Sequence, residues 1–455
     1  MFDKQKFLDF VGKDVLPAGK TRRLFSYSQK IALSDYLSLK SGILNEKSFS
    51  FYWNIPADNY SFIAAGAIYS LRSSEYKDLS TLGDDLKNLP FNVVSNNTNS
   101  DLPFFIGGVK FPSSESGEKW NDYEYSQWTI PNFLVLKNGG NTFLIINTFE
   151  EFIQESIEQL EFYQGINSYP SEKTINVLSN KNGSLLPTWC RQINSALDLI
   201  SQNQIEKVVI ARYNELELNE EPEMSVLLEH LETVFENCTT FAYKSKNSVF
   251  FGSSPERLLK AVGGIIETDA LAGSIGRGIN AEKDCNLEEE LLNDEKNLSE
   301  HKSVLNFILS QLGPFTEKIL FDSKPLIKKY PNIQHLYSKI SAKLKKDVSF
   351  FSLLEKLFPT PAVCGVPKNN ALSAIHEIEK FDRGLFAGFI GWFNLNGDAD
   401  FSVGIRSALL KNNMITAYAG CGVVSGSDPV SEYNETELKL KPILNLFAHE
   451  TICKS

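Results

Sequence analysis

The sequence predicts an α+β protein whose sheet is largely antiparallel. The chain has 455 residues, of which 42% are hydrophobic and 22% charged. This balance excludes wholesale disorder and allows a large buried core. Short apolar runs are separated by turn signals, and they occur in neighbouring pairs between helical segments. Such pairs favour antiparallel pairing over strict strand–helix–strand alternation.

The predicted elements are clearest after residue 180. Helical periodicity predicts helices over 188–202, 287–312, 349–357 and 371–379, and a last helix capped by Asp428 ahead of Pro429. Apolar runs predict strands over 206–213, 249–252, 388–394, 401–410 and 414–419. Before residue 180, β-like runs such as 143–147 alternate with loops rich in Ser and Asn. Residues 180–184 are typical of a linker or turn, so we divide the chain into 1–180 and 181–455.

The composition also excludes several classes of protein. With 45 Lys+Arg against 56 Asp+Glu, the net charge is −11, which is untypical of nucleic-acid binders. The six cysteines are scattered singly, as in proteins of a reducing cytosol. No apolar run is long enough to span a bilayer, and no signal peptide is visible. We expect a soluble, cytoplasmic monomer that binds neither nucleic acid nor membrane.

Two segments carry candidate acid–base residues. In the strand at 206–213, Lys207 shares a face with Val209 and Ala211. A lysine partly desolvated in this way is a possible general base. The alternative is an edge-strand lysine that prevents aggregation. Glu256 follows the strand at 249–252, and a carboxyl group among bulky apolar residues can act as a general acid. Its alternative is a place in the first turn of a short helix.

Small residues and an arginine are candidates for binding an anion. At Ala272-Gly273-Ser274, glycine beside small residues exposes backbone N–H groups that can bind a carboxylate. The alternative is an ordinary hairpin turn. Arg406 projects from the strand at 401–410 and can clamp a carboxylate with two hydrogen bonds. Its alternative is a surface salt bridge.

Acidic residues on two predicted helices form a candidate metal site. Glu300 lies within the helix at 287–312, while Glu432, Glu435 and Lys439 share one face of the last helix. Glu432 and Glu435 repel each other unless a cation compensates. Mg²⁺ usually takes one or two protein carboxylates plus waters and substrate oxygens, which suits Glu300 and Glu435. The alternative is a solvated helix face with an ion pair between Glu435 and Lys439.

Taken in order, these segments resemble the chorismate-utilising enzymes, a family that includes isochorismate synthase, salicylate synthase, anthranilate synthase component I and aminodeoxychorismate synthase. The resemblance covers about residues 185–448, and residues 1–180 resemble the variable N-terminal part of the same fold. The matching segments are KVVIAR at 207–212, GSSPERL at 252–258, LAGS at 271–274, EH at 300–301, QHL at 334–336, FPTPAVCG at 358–365, EKFDRG at 379–384, GW at 391–392, IRS at 405–407, AGCG at 419–422, SDP at 427–429 and ExxExxxK at 432–439.

The resemblance implies a fold and a reaction. The fold is two stacked, mainly antiparallel sheets flanked by helices. A lysine at the position of Lys207 is typical of members that add water, whereas amine-adding members carry glutamine there. Ala272 stands where aminodeoxychorismate synthase has a nucleophilic lysine, and Ala362 where pyruvate-eliminating members tend to carry threonine. The implied activity is isochorismate synthase, whose product begins both menaquinone and siderophore synthesis.

The resemblance also implies the role of each site residue. Lys207 activates water for attack at C2 of chorismate, and Glu256 protonates the departing C4 hydroxyl. Glu300 and Glu435 hold Mg²⁺, supported by Glu432. The substrate is bound by the small residues of the 272–274 segment and Ala362, by Arg406 at the enolpyruvyl carboxylate, by Lys439 and the Gly420 backbone at the ring carboxylate, and by His335 near the C4 hydroxyl.

Two positions depart from the family pattern. Asn297, three residues before Glu300, replaces a residue that is often acidic, which predicts a weaker outer shell for the metal. Asp269 stands where glutamate is common. Two alternatives to isochorismate synthase are a salicylate synthase, which also eliminates pyruvate, and a catalytically silent paralogue. Ala362 argues against the first, and the retained acid, base and metal carboxylates argue against the second.

Overall fold

The computed structural model describes residues 2–13, 22–45, 47, 49–75, 79–97, 102–113, 117–166, 174–183, 185–331, 333–346 and 348–448. Within these residues the strands form two large sheets flanked by helices, which confirms the predicted architecture. All described strand pairs are antiparallel except β1 (Arg23–Ile31) with β5 (Asn92–Ser95). The described residues contain no helix that is long and apolar enough to cross a membrane.

The larger sheet, of thirteen described strands, has the order β10-β11-β23-β22-β13-β12-β2-β3-β8-β9-β1-β5, with β19 paired to β11. Its remaining strands, numbered along the chain, are β2 Phe49–Ile55, β3 Tyr60–Ala65, β8 Phe133–Asn138, β9 Asn141–Phe149, β10 Val177–Asn182, β11 Lys207–Leu218, β12 Thr239–Ser245, β13 Ser248–Ser254, β19 Gly365–Val366, β22 Ser407–Lys411 and β23 Met414–Val423.

The smaller sheet, of ten described strands, has the order β16-β18-β15-β14-β21-β20-β6-β7-β4, with β17 paired to β18. Its strands are β4 Tyr69–Ser73, β6 Phe104–Val109, β7 Ser126–Ile130, β14 Arg257–Val262, β15 Ile265–Gly276, β16 Thr316–Phe321, β17 Leu326–Lys329, β18 Ile333–Leu344, β20 Phe389–Asn394 and β21 Ala399–Val403.

The described helices are α1 Lys4–Gly12, α2 Leu33–Asn45, α3 Ser80–Lys87, α4 Ile153–Gly165, α5 Leu186–Ser201, α6 Met224–Val234, α7 Ala281–Asn293, α8 Glu295–Leu312, α9 Phe350–Leu357, α10 Lys368–Ile378 and α11 Pro429–Leu444. The last begins as predicted, because the Asp428 side chain accepts a hydrogen bond from Ser431 N at 2.8 Å.

The main core lies between the two sheets and contains side chains of both. Aromatic rings meet across the gap: Tyr60 of β3 stacks on Trp392 of β20 at 5.8 Å. A second core lies on the outer face of the larger sheet, beneath α1, α2, α4, α6 and α11. This sheet is therefore buried on both faces, which explains its nearly continuous apolar strands.

Both parts of the chain supply strands to both sheets. In the larger sheet, β2 pairs with β12, and in the smaller sheet, β6 pairs with β20. Of the linker or turn predicted at 180–184, residues 180–182 lie in β10, so the prediction is wrong for them. Gly183 forms a bend, and residue 184 lies outside the described residues. The sequence shows no apolar run at residues 180–182 because β10 is an edge strand with mostly polar residues.

Two predicted elements are each split in the structure. The helix over 287–312 is two helices, because Asp294 adopts an extended conformation (ψ 113°) and caps α8 by accepting from Asn297 N. The strand over 401–410 is also two strands, β21 in the smaller sheet and β22 in the larger. The chain crosses between the sheets at 404–406, where Arg406 has a φ of +50°.

Candidate active site

A cavity of about 190 Å³ lies where β11 and β23 of the larger sheet meet β15 and β18 of the smaller sheet, beside α8 and α11. All the predicted site residues except Lys207 line it, namely Glu256, Ala272, Gly273, Ser274, Glu300, His335, Ala362, Arg406, Gly420, Glu432, Glu435 and Lys439. Residues from eight separate segments of the chain therefore meet at one place.

Lys207 lies beside this cavity, next to Glu300 and Gly422, which line it. Its side chain is 5% exposed, and its Nζ lies 2.6 Å from Glu300 Oε1. At this end β11 lies between β19, where Val366 pairs with Lys207, and β23, so Lys207 is not an edge-strand lysine. Gly422 of β23 makes room for it, because a Cβ at residue 422 would lie 2.8 Å from Lys207 Cε. A side chain at residue 422 would therefore displace the end of the Lys207 side chain.

Glu256 lies in the extended connection between β13 and β14, and not in the first turn of a helix. It is buried, with 5% of its surface exposed. Burial, reinforced by the nearby charge of Asp269, raises the pKa of Glu256 to about 7. A carboxylic acid that keeps its proton near neutral pH can serve as a general acid.

The segment at 272–274 forms an irregular part of β15 rather than a hairpin turn. The pairing of β15 with β18 is shifted between Leu271 and Ser274, and Gly273 has a φ of +80°. A Cβ at residue 273 would also lie 3.0 Å from Asn297 O on α8. Both the conformation and the contact therefore favour glycine.

Arg406 is buried at the crossing point between the sheets, with 8% of its surface exposed. It has no ion pair with a carboxylate in the part of the chain that the structure describes, so the predicted alternative of a surface salt bridge is wrong. Its Nη2 lies 3.4 Å from His335 Nε2. A buried guanidinium without a carboxylate partner is costly, and an anionic ligand compensates that cost.

Each of the three candidate metal carboxylates is paired with a lysine. Besides the pair of Lys207 and Glu300, Glu435 lies 2.5 Å from Lys439 and Glu432 lies 3.5 Å from Lys296. Burial would raise the pKa of Glu300, but the charge of Lys207 outweighs it and the pKa is lowered. The pKa of Glu432 is raised by burial and by the neighbouring Glu435. The predicted ion pair of Glu435 and Lys439 is present, and it faces the cavity.

These carboxylates fit a magnesium ion by their chemistry. Among the described residues, no three His, Cys, Asp or Glu side chains already form a metal cluster. Mg²⁺ needs no such cage, because it keeps several waters and binds through one or two carboxylates and substrate oxygens. Burial and the charge of Glu435 raise the pKa of Glu432, and a cation bound beside these two carboxylates would relieve their repulsion.

The structure adds cavity residues that the sequence did not single out. Lys296 lines the cavity, and its spacing of four residues before Glu300 was a signal that both lie on one face of the helix. Arg383 also lines the cavity, although it is part of the EKFDRG segment. Asn297, noted only as a departure, donates its Nδ2 to Asp294 and accepts from Ser274 N at 3.0 Å.

Arg383 and Glu379 form a buried ion pair, 2% and 1% exposed, at a distance of 2.5 Å. Arg383 also donates to the carbonyls of Val209 and Val363. Glu379 accepts from Ala211 N at 2.7 Å. The pair therefore joins β11, which carries Lys207, to the loop that carries Ala362.

Several known proteins resemble this chain over most of its length. A family model described as chorismate binding enzyme matches residues 13–448. Isochorismate synthase MenF of Bacillus subtilis is 31% identical over 449 residues, 94% of each chain. The salicylate biosynthesis isochorismate synthase of Pseudomonas aeruginosa is 32% identical over 74% of this chain and 73% of its own.

Among solved structures, MenF, the menaquinone-specific isochorismate synthase of Escherichia coli, superposes with a TM-score of 0.81 at 24% identity, covering 98% of both chains. This likeness establishes the fold over nearly the whole length. With the family match and the identity to the Bacillus subtilis protein, the conclusion is that this chain belongs to the chorismate-binding enzyme family.

Proposed function

We propose that the protein is an isochorismate synthase, which converts chorismate reversibly to isochorismate. The observation that carries this proposal is the presence, around one cavity, of a buried lysine and a buried glutamic acid suited to base and acid roles. Lys207 is held 2.6 Å from Glu300, and the pKa of Glu256 is raised to about 7. Relatives named isochorismate synthase support the assignment.

The proposed reaction adds water at C2 and releases the C4 hydroxyl as water, so that atoms balance between chorismate and its isomer. In its neutral form, Lys207 takes a proton from the water as its oxygen attacks C2, and the ammonium group so formed is the partner of Glu300. The ring double bonds shift, and Glu256 gives its proton to the departing C4 oxygen. General acid and base groups of this kind contribute about 10²–10⁴-fold each to the rate.

The remaining residues bind and orient a dianionic substrate. Arg406 pairs with the enolpyruvyl carboxylate, and His335 lies near the C4 hydroxyl. Lys439, which donates to Gly420 O at 3.0 Å, holds the ring carboxylate. Glu300 and Glu435, with Glu432 in support, would hold Mg²⁺, which supplies positive charge for the ring carboxylate when bound. The small side chains at 272 and 362 leave room for the ring.

The test is NMR of the purified protein with chorismate and Mg²⁺. We expect a mixture of chorismate and isochorismate, and no conversion after chelation. Salicylate with pyruvate would contradict the proposal and assign a salicylate synthase. Unchanged chorismate with folded protein would contradict it too and favour a silent paralogue.

A further inference from the structure

A chain of hydrogen bonds runs from helix α8 to the buried arginine of the cavity. Asp294 Oδ1 accepts from Asn297 Nδ2 at 2.7 Å, and Asn297 Oδ1 accepts from Ser274 N at 3.0 Å. Ser274 Oγ lies 2.7 Å from His335 Nδ1, and His335 Nε2 lies 3.4 Å from Arg406 Nη2. We call this chain of hydrogen bonds the relay. Its residues come from α8 and the residue that caps it, from β15 and β18, and from the crossing at 404–406.

The chemistry of the partners fixes the direction of each hydrogen bond. A guanidinium can only donate, so His335 Nε2 must accept and carry no proton. The ring proton then lies on Nδ1, and Ser274 Oγ at 2.7 Å accepts it. The backbone of Gly273 is a further hydrogen-bond partner of this ring. Because Ser274 Oγ is already accepting, the Ser274 hydroxyl can direct its own hydrogen elsewhere, including toward the cavity that Ser274 lines.

The asparagine suits its place because its amide group both donates and accepts. Nδ2 is committed to Asp294, so Oδ1 must face Ser274 N. A carboxylate at position 297 would still accept from Ser274 N but would repel Asp294. The neutral amide also adds no negative charge beside the histidine and arginine.

We propose that Asn297 and Ser274 are positioning residues that hold His335 with a proton-free Nε2, so that Arg406 is oriented for a substrate carboxylate. This deepens the proposed function and rests on it for the identity of the substrate. It gives Asn297 a place at the carboxylate end of the cavity instead of in the shell of the metal. Burial and the charge of Arg406 both lower the pKa of His335, which keeps its ring neutral.

The first test measures the histidine tautomer in the free protein by ¹⁵N NMR. The chain has five histidines, and the His335→Asn variant identifies the signal of residue 335. We expect a protonated Nδ1 and an unprotonated Nε2 in the wild type, and a mixture of tautomers in Asn297→Ala and Ser274→Ala. A proton on Nε2 in the wild type would overturn the proposal. An unchanged tautomer in both variants would overturn it too, because Asn297 and Ser274 would then not fix the tautomer of His335.

The second test measures ligand binding by calorimetry, under conditions in which chorismate is not converted. Two ligands are compared: chorismate, and 4-hydroxybenzoate, which lacks the enolpyruvyl carboxylate. We expect Asn297→Ala to bind chorismate about tenfold more weakly and 4-hydroxybenzoate unchanged, since one positioning contact is lost. Asn306→Ala, exposed on the same helix, is the matched control and should bind both as the wild type does.

The outcomes separate a positioning role from a structural one. Equal loss of both ligands in Asn297→Ala would indicate a general distortion and overturn the proposal. If the wild-type protein binds no chorismate, the proposed function fails, while the tautomer measurement still decides whether the relay exists.

Discussion

Lys207 and Glu300 form a partly buried ion pair at 2.6 Å, although they lie 93 positions apart on a strand and a helix. Each residue is proposed for a different task, the lysine for proton transfer and the glutamate for Mg²⁺. Because they contact each other directly, substitution of one leaves the other without its partner. Measurements on either residue therefore need a second readout besides activity.

Replacing Lys207 with alanine should reduce turnover of chorismate by at least about 10²-fold, because the proposed base is lost. The fold should remain, since β11 is held by pairing on both sides. NMR of the product mixture and circular dichroism check the two parts. Lys302→Ala, on an exposed lysine of α8, is the control. Wild-type turnover in Lys207→Ala would refute the assigned base.

Glu256→Gln should be inactive yet more stable than the wild type at alkaline pH. The folded pKa of about 7 lies above the unfolded value of 4.5, so the wild type loses stability as pH rises through this window. The loss reaches about 3 kcal/mol at about 1.4 kcal/mol per unit. Urea denaturation at pH 5 and pH 8.5 measures the difference, which we expect to be far larger at pH 8.5.

The same group predicts the pH dependence of catalysis. A proton donor with a pKa of about 7 is lost as pH rises, so the rate should fall above about pH 7. The rate of chorismate conversion as a function of pH measures this. A wild-type rate that does not fall above about pH 7 would contradict Glu256 as the acid.

Glu435→Gln should weaken Mg²⁺ binding by at least about tenfold, because one of the two proposed ligands loses its charge. Calorimetric titration with Mg²⁺ measures this independently of turnover. Glu295→Gln, on an exposed residue at the start of α8, should bind as the wild type does. Equal affinity in all three proteins would place the metal elsewhere or show that none is bound.

Arg383→Ala should destabilise the protein by about 3–5 kcal/mol, since it leaves Glu379 buried and unpaired. It also frees the carbonyls of Val209 and Val363. Arg191→Ala, on an exposed arginine of α5, should leave the free energy of unfolding within about 0.5 kcal/mol of the wild type. Chemical denaturation compares the variants, and unchanged stability in Arg383→Ala would mean that the ion pair does not support β11.

Elements whose sequence signals are local were predicted correctly. Element boundaries that depend on tertiary structure were not. The cap at Asp428 and the strand at Lys207 follow from residue type and periodicity. The splits at Asp294 and Arg406 do not, because an apolar pattern continues across both breaks while the backbone turns for reasons of packing and capping.

The same limit applies to the site. The motif residues were found because their order resembles a known family, and the structure brings them to one cavity. The pair of Glu435 and Lys439 was predicted because both lie on one face of α11. The pairs of Glu300 with Lys207 and of Glu432 with Lys296 were not predictable, since they depend on how α8 packs against β11 and α11. The role of Asn297 was hidden too, because its partner Ser274 lies 23 positions earlier on another element.

The pairing of β2 with β12 has a consequence for how the chain is made. At roughly 5–20 residues per second, β2 leaves the ribosome on the order of 10–40 s before its partner β12 is synthesised. The edge of β2 that pairs with β12 lacks its partner for that time, although its other edge pairs with the nearby β3. The same holds for β6, which lies between the nearby β7 and the distant β20. We therefore expect that no N-terminal fragment folds by itself, and that yield in cells depends on chaperones that hold the nascent chain until its second half arrives.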